Sequence, residues 1–258
     1  MKAIVLAAGH GSRLMPLTRK IPKAMVKLFG ETLLQHQINI LTKCGINEII
    51  VVVGHYGNTV LGENLKIIEN KFFNSTNMVS SLFCASDEFD GKKDIVVTYG
   101  DIVFEKRVLQ ALLSCEAPVA ISADLNWKKY WELRLENPLS DAETFKLDSL
   151  GNVKELGKKP QGFNEIEAQY MGLIKIDSEC QKPLIKYYKS LSQEIKYDGQ
   201  EFKNMYMTSF LQNLIDDGWE IKPAFTRGGW LEVDTLDDFE LYNNLDRQNK
   251  LSPFFIKT

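Results

Sequence analysis

The sequence predicts an α/β protein: a single domain spanning residues 1–258, with a mixed, mostly parallel sheet flanked by helices. Three observations carry that expectation. Short, continuous apolar runs recur through the first half, at residues 3–6, 48–53, 94–98 and 119–122. Between the first two, residues 33–44 show helical spacing. Strands that are apolar on both faces and separated by helices fit a parallel sheet covered on both sides. Finally, two of the runs end in ligand-type residues, a Gly-rich loop at residues 9–13 and Tyr99-Gly100-Asp101. Open α/β sheets bind ligands at the carboxyl ends of their strands, so both features point to one edge.

The second half has a different rhythm. Residues 143–147 and 152–156 flank a Gly151-Asn152 turn and predict a hairpin. Residues 169–176 predict a further strand. Helical patterns follow at 183–191, 205–216 and 236–248. No low-complexity linker or internal repeat divides the chain. Residues 1–125 are expected to form a nucleotide-binding half, and residues 126–258 an acceptor-binding and metal-completing half.

Composition narrows the function classes. The chain has 258 residues, 44% hydrophobic and 25% charged, which is ordinary for a globular domain. Its net charge of -3 and pI near 5.8 argue against a nucleic-acid surface. Cys44, Cys84, Cys115 and Cys180 lie far apart without metal-ligand spacing, as reduced thiols would. The apolar stretch at residues 3–8 is too short for a membrane span or a signal segment. The expected location is the cytoplasm, without membrane or nucleic-acid partners. Phe254 and Phe255 near the C-terminus suit either intramolecular packing or a homodimer patch.

The chemistry begins in the first thirty residues. Strand 3–6 runs into Gly9-His10-Gly11-Ser12-Arg13, and Pro22-Lys23 follows. No Gly-Lys-Ser/Thr closes the loop, so it is not a Walker A sequence. Leu14 stands where a dinucleotide-binding loop has its third glycine. Glycines admit a ligand close to the backbone, where N–H groups meet phosphate oxygens, and Arg13 adds a planar cationic fork. Taken alone, Gly-x-Gly-x-x also fits an ordinary turn with a solvated arginine. Ala7-Ala8 before it and Pro22-Lys23 after it favour the phosphate site. His10 fits a variable loop position, and His36 and His55 fit ordinary helix and turn positions.

Together, Leu6-Ala7-Ala8-Gly9-x-Gly11-Ser12-Arg13-Leu14, Pro16-Leu17-Thr18 and Pro22-Lys23 resemble the signature of nucleotidyltransferases acting on sugar phosphates and related phosphorylated metabolites. The resemblance implies a Rossmann-like sheet of the nucleotide-diphospho-sugar transferase type. It implies that Leu6, Ala7, Ala8 and Gly9 hold base and ribose, and that Gly11, Ser12 and Arg13 hold the triphosphate. Lys23 would sit between the reacting phosphates, making Arg13 and Lys23 the catalytic pair. Asp101 and Asp234, the latter within Trp230-Leu231-Glu232-Val233-Asp234-Thr235, resemble the family's metal-binding aspartates. An aspartate in such a place is also a common turn residue or N-cap. Two carboxylates with phosphates and water suit Mg²⁺.

Residues 74–82 resemble the Asn-Met-x-x-Ser-Leu segment of CTP-dependent cytidylyltransferases for phosphocholine, 2-aminoethylphosphonate or L-glutamine phosphate. Residues 124–143 and 157–172 resemble the same branch. That implies Asn77 and Ser81 on the nucleotide, with Trp127, Arg134, Lys158, Glu167 and Tyr170 on the acceptor. Trp131, Lys159 and Asp141 are alternatives for the aromatic face, the phosphate and the ammonium. Ordinary roles also fit: tryptophans four apart pack as helix core, and Lys158-Lys159 fits a solvated turn. All three acceptors stay open, with L-glutamine phosphate preferred because Arg134 offers a cation for its carboxylate. The implied reaction releases pyrophosphate from CTP and feeds surface polysaccharide or lipid decoration. The rivals are a sugar-1-phosphate uridylyl- or thymidylyltransferase and a non-catalytic nucleotide-binding regulator.

Overall fold

A computed structural model describes residues 1–62 and 64–257. Its centre is a seven-stranded sheet. In chain order the strands are β1 (Lys2–Ala7), β2 (Glu48–Val53), β3 (Leu65–Glu69), β4 (Ile95–Tyr99), then β6 (Val119–Asp124), β9 (Gln169–Ile176) and β10 (Ile221–Thr226). The spatial order is β10-β6-β9-β4-β1-β2-β3. Only β9 runs antiparallel to its neighbours; the other pairings are parallel. One sheet thus takes strands from both halves of the chain.

The continuous apolar runs arise because both sheet faces are covered. Ala3, Val5 and Ala7 of β1 enter one core, which also contains Trp131 and Tyr242. Ile4 and Leu6 enter the other, with Val79, Phe210 and Leu214. Helices α1 (Leu33–Lys43), α3 (Lys106–Leu113), α4 (Trp127–Arg134) and α7 (Leu236–Arg247) contribute to the first core. Helices α2 (Met78–Cys84), α5 (Gln181–Ser190) and α6 (Met207–Asp216) contribute to the second.

The expected hairpin is present as β7 (Phe145–Leu147) and β8 (Val153–Leu156), paired antiparallel. Two edge strands were not legible in the sequence. Strand β3 is mostly exposed or half-buried and so lacks an apolar signature, while β10 carries Pro223. Proline is tolerated at a sheet edge but argues against a strand in a sequence reading. A short pair, β5 (Ile102–Phe104) with β11 (Trp230–Glu232), lies apart from the main sheet and joins the two halves. Phe255 is buried and stacks on Phe29, and Phe254 packs against the core, so the two phenylalanines are used internally. Among the described residues, no helix is long and apolar enough to cross a membrane.

Candidate active site

Three strand-end segments build the site. The first is the loop after β1. Gly11 adopts φ +62, and a Cβ there would lie 2.9 Å from Thr18 Cγ2 and 3.0 Å from Lys23 Cβ. The Thr18 hydroxyl donates to the Gly11 carbonyl at 2.8 Å. The loop is therefore closed down onto the Pro22-Lys23 segment, which only glycine at position 11 permits.

The second segment is the turn after β4. A Cβ on Gly100 would approach the Leu6 carbonyl oxygen at 2.8 Å, and the Gly100 N–H donates to that oxygen at 2.9 Å. The ends of β1 and β4 thus touch, placing Asp101 beside the loop. From below, the buried Gln37 amide donates to the Tyr99 and Ile102 carbonyls, both at 2.8 Å. The third segment is the exit of β11. The Val233 N–H donates to the Asp101 carbonyl at 2.9 Å, so the two aspartate-bearing loops are stitched together.

At the junction, Lys23 Nζ donates to Asp101 Oδ2 at 2.7 Å and Asp234 Oδ1 at 2.8 Å. Arg13 pairs with Asp234 Oδ2 from the solvent rim. Burial alone would lower the Lys23 pKa, but Asp101 and Asp234 outweigh it and hold the ammonium charged. Asp101 Oδ1 is buried without a hydrogen-bond partner among the described residues. A buried carboxylate oxygen without a donor is costly, and a hard cation would satisfy it. Among the described residues, no group of three or more His, Cys, Asp or Glu side chains is arranged to hold a metal. Two carboxylates completed by substrate phosphates and water fit a divalent cation of the kind that keeps part of its hydration.

Two cavities meet at this junction. One, of about 110 Å³, is lined by Leu6, Ala7, Ala8 and Gly9 on one wall and by Thr76, Asn77 and Ser81 on the other. Asn77 caps α2 by accepting the Met78 N–H at 2.8 Å. Ser81 accepts from the Asn70 amide at 3.0 Å. Both residues line the cavity while tied into the wall. Ser12 sits in the loop after Gly11 and does not line this cavity.

The second cavity, of about 380 Å³, has Arg13 and Asp234 in its lining. Its lining is acidic and aromatic, with Asp141, Glu143 and Glu232 among Trp131, Tyr170 and Trp230. Trp131 Nε1 donates to Asp141 Oδ2 at 3.1 Å. Burial, then the charges of Asp141 and Glu232, raise the Glu143 pKa to about 7. Burial also raises that of Glu232 to about 7, with Arg134 opposing and Asp101 and Asp234 reinforcing the shift. Burial raises the Tyr170 pKa, opposed by the neighbouring Tyr99 hydroxyl.

Four residues expected at the acceptor do not line this cavity. Trp127 is buried in the core against Trp131 and Phe163, and its neighbour one turn on reaches the cavity instead. Arg134 is held by Asp238 and Glu232, leaving no free fork for an acceptor carboxylate. Lys158 is half-exposed and pairs with Glu155 at 3.5 Å. Glu167 is exposed and accepts the Leu147 N–H at 2.8 Å. Tyr170 alone of the five lines the cavity. Glu143 and Glu232 escaped the sequence reading. Strand alternation held a signal for one of them, because Trp230 and Glu232 are two residues apart on β11 and share a face.

Comparisons with known proteins bear on the family and the fold. The family model for MobA-like NTP transferase domains matches residues 3–145. The CTP:phosphoglutamine cytidylyltransferase of Campylobacter jejuni is 44% identical over 251 residues, covering 93% of this chain and 98% of that protein. Among solved structures, the inositol-1-phosphate CTP transferase from T. maritima superposes with a TM-score of 0.72 at 19% identity, covering 99% of this chain and 98% of the other. The CTP:phosphocholine cytidylyltransferase of Streptococcus pneumoniae gives 0.70 at 19% identity, covering 96% and 99%.

Proposed function

The chain belongs to the family of MobA-like NTP transferase domains, and from that premise we propose that it is a cytidylyltransferase joining CTP to a small phosphorylated amino acid, with L-glutamine phosphate the preferred acceptor. The observation that carries the reading is Lys23 held between Asp101 and Asp234, with Arg13 alongside, where the two cavities meet.

The first cavity takes CTP, with Leu6 to Gly9 along base and ribose and the Gly11 to Arg13 loop on the triphosphate. An oxygen of the acceptor phosphate attacks the α-phosphorus. A new P–O bond forms, the α–β anhydride bond breaks, and pyrophosphate leaves with the electron pair. The attacking oxygen is already anionic near neutral pH, so no general base is needed. The barrier is repulsion between two anions and charge growing on the leaving group. Lys23 and Arg13 lower both, and the loop aligns attack opposite the leaving oxygen. Asp101 and Asp234 would hold Mg²⁺, which supplies further neutralisation of phosphate charge when bound.

The second cavity suits an acceptor with an ammonium end. Asp141, Glu143 and Glu232 supply negative charge, and Trp131, Tyr170 and Trp230 supply π faces. Support for an amino-acid acceptor comes from the Campylobacter relative, whose name specifies phosphoglutamine. Residues 1–125 carry the nucleotide and residues 126–258 complete the acceptor and metal sides. The product feeds cell-surface decoration from the cytoplasm.

The test is a matrix of pyrophosphate-release assays. CTP, UTP, dTTP and GTP are each combined with L-glutamine phosphate, phosphocholine, 2-aminoethylphosphonate and glucose-1-phosphate. The expected result is fastest turnover with CTP and L-glutamine phosphate. Turnover of phosphocholine far above the others would reassign the acceptor, and preference for UTP or dTTP with glucose-1-phosphate would overturn the reading.

A further inference from the structure

We propose that Arg134 is a positioning residue: through Asp238 it fixes the backbone that presents Asp234 to Lys23 and the metal, an inference that rests on the reading of Asp234 given above. Arg134 is 4% exposed at its side chain, and Asp238 is 6%. Its Nε donates to Asp238 Oδ1 at 2.8 Å and an Nη donates to Oδ2 at 3.1 Å. The second Nη donates to Glu232 Oε2 at 3.0 Å. The same Asp238 Oδ2 accepts the N–H groups of Asp234 at 3.1 Å and Thr235 at 2.9 Å. One carboxylate therefore ties the arginine to the peptide that carries Asp234.

Capping of α7 does not by itself require this arrangement. Thr235 and Asp238 already form a reciprocal capping box at that helix start. A buried guanidinium is costly unless fully matched, so its presence calls for an account beyond capping. What the planar fork adds is a fixed plane for the Asp238 carboxylate, because the two backbone N–H bonds fall on one oxygen, Oδ2, and leave Oδ1 free to turn.

The neighbouring backbone is pinned as well. The Glu232 N–H donates to the Tyr130 hydroxyl at 2.8 Å, and its carbonyl accepts from the Tyr242 hydroxyl at 3.0 Å. Those two hydroxyls lie 2.6 Å apart. Residues 232–238 are thus held from α4 and α7, while the Asp234 carboxylate points away toward Lys23 and Arg13. The same helix α4 carries Trp131 into the acceptor cavity. One helix therefore bears on both the acceptor side and the metal side.

The test is the affinity for CTP measured by titration calorimetry, in EDTA and in Mg²⁺, for wild type, Arg134→Lys and Asp238→Asn. Lysine keeps the charge without the fork, and asparagine keeps an acceptor oxygen without the charge. Each variant is read only if it melts cooperatively, and Asp238→Asn carries the test if Arg134→Lys does not. The expected result is metal-free affinity within about twofold of wild type, with the gain on adding Mg²⁺ reduced about tenfold, as for other partners that orient a metal ligand. A gain equal to wild type overturns the proposal. So does parallel weakening with and without metal, which marks a merely structural role. Wild type showing CTP binding but no gain from Mg²⁺ overturns the metal reading itself, and the proposal with it.

Discussion

Lys23 and Asp101 are joined by a 2.7 Å hydrogen bond although 78 residues separate them in the chain. The contact exists because Gly11 closes the first loop onto Lys23 and Gly100 lets the ends of β1 and β4 touch. Two glycines in two loops therefore determine where the Lys23 ammonium and the Asp101 carboxylate meet.

Removing the lysine should separate its catalytic role from its structural one. Lys23→Ala is expected to slow transfer by about 10² to 10³, the usual loss for one charge-stabilising donor. It also leaves Asp101 and Asp234 facing each other without their shared cation. Mg²⁺ should then raise the melting temperature of the variant more than that of wild type. An equal thermal response in both proteins would show that the two carboxylates do not share a cation site.

Gly11→Ala should damage the loop rather than the fold. The left-handed φ costs an alanine about 1 kcal/mol, and its Cβ presses on Thr18 and Lys23. A displacement of Lys23 on the order of 1 Å predicts a loss of about 100-fold in kcat/KM with a small fall in Tm. Wild-type kcat/KM in this variant would mean that the loop does not set the position of Lys23.

Glu143 predicts a pH dependence with a definite sign. Its folded pKa is raised from 4.5 to about 7. The folded protein therefore holds this proton more tightly than the unfolded chain does. The resulting stability is fully present below the ordinary carboxyl value and is lost as pH rises through about 7. Glu143→Gln should consequently lose less melting temperature than wild type over that window. Ionised Glu143 also attracts an ammonium, so the acceptor KM should fall as pH rises through the same window. The acceptor phosphate itself titrates near pH 6, and the variant isolates its share. Identical KM profiles for wild type and Glu143→Gln would remove Glu143 from acceptor binding.

Lys158→Ala and Glu167→Ala should leave kcat/KM within about twofold of wild type and Tm nearly unchanged, because the exposed Lys158–Glu155 pair contributes under about 1 kcal/mol and Glu167 makes an exposed hydrogen bond to the Leu147 N–H. A loss of tenfold or more in acceptor KM for either variant would bring that residue back to the acceptor.

The strands and the phosphate loop were legible because their signals are local. An apolar run buried on both faces and a glycine at a tight turn each declare themselves within a few residues. The acceptor side was not, because its geometry depends on distant partners. Arg134 reads as a free cation until Asp238, 104 residues away, is seen to hold it. Trp127 and Trp131 stand one helical turn apart and are both buried, and only the packing of Trp127 against Phe163 and the bond from Trp131 to Asp141 decide which of them reaches the cavity. Gln37, which fixes the turn bearing Asp101, looked like any polar residue in an amphipathic helix. Edge strands β3 and β10 stayed hidden because exposure and a proline erased the pattern that marks interior strands.

The most direct measurement is pyrophosphate release by Asp101→Ala against wild type, at saturating CTP, L-glutamine phosphate and Mg²⁺, with the variant's fold verified by circular dichroism. Asp101 anchors Lys23 and holds the unpartnered oxygen that a cation would occupy. A folded variant slowed by about 100-fold or more is the predicted result. Release at near wild-type rate would contradict the assignment of this junction as the site of nucleotidyl transfer.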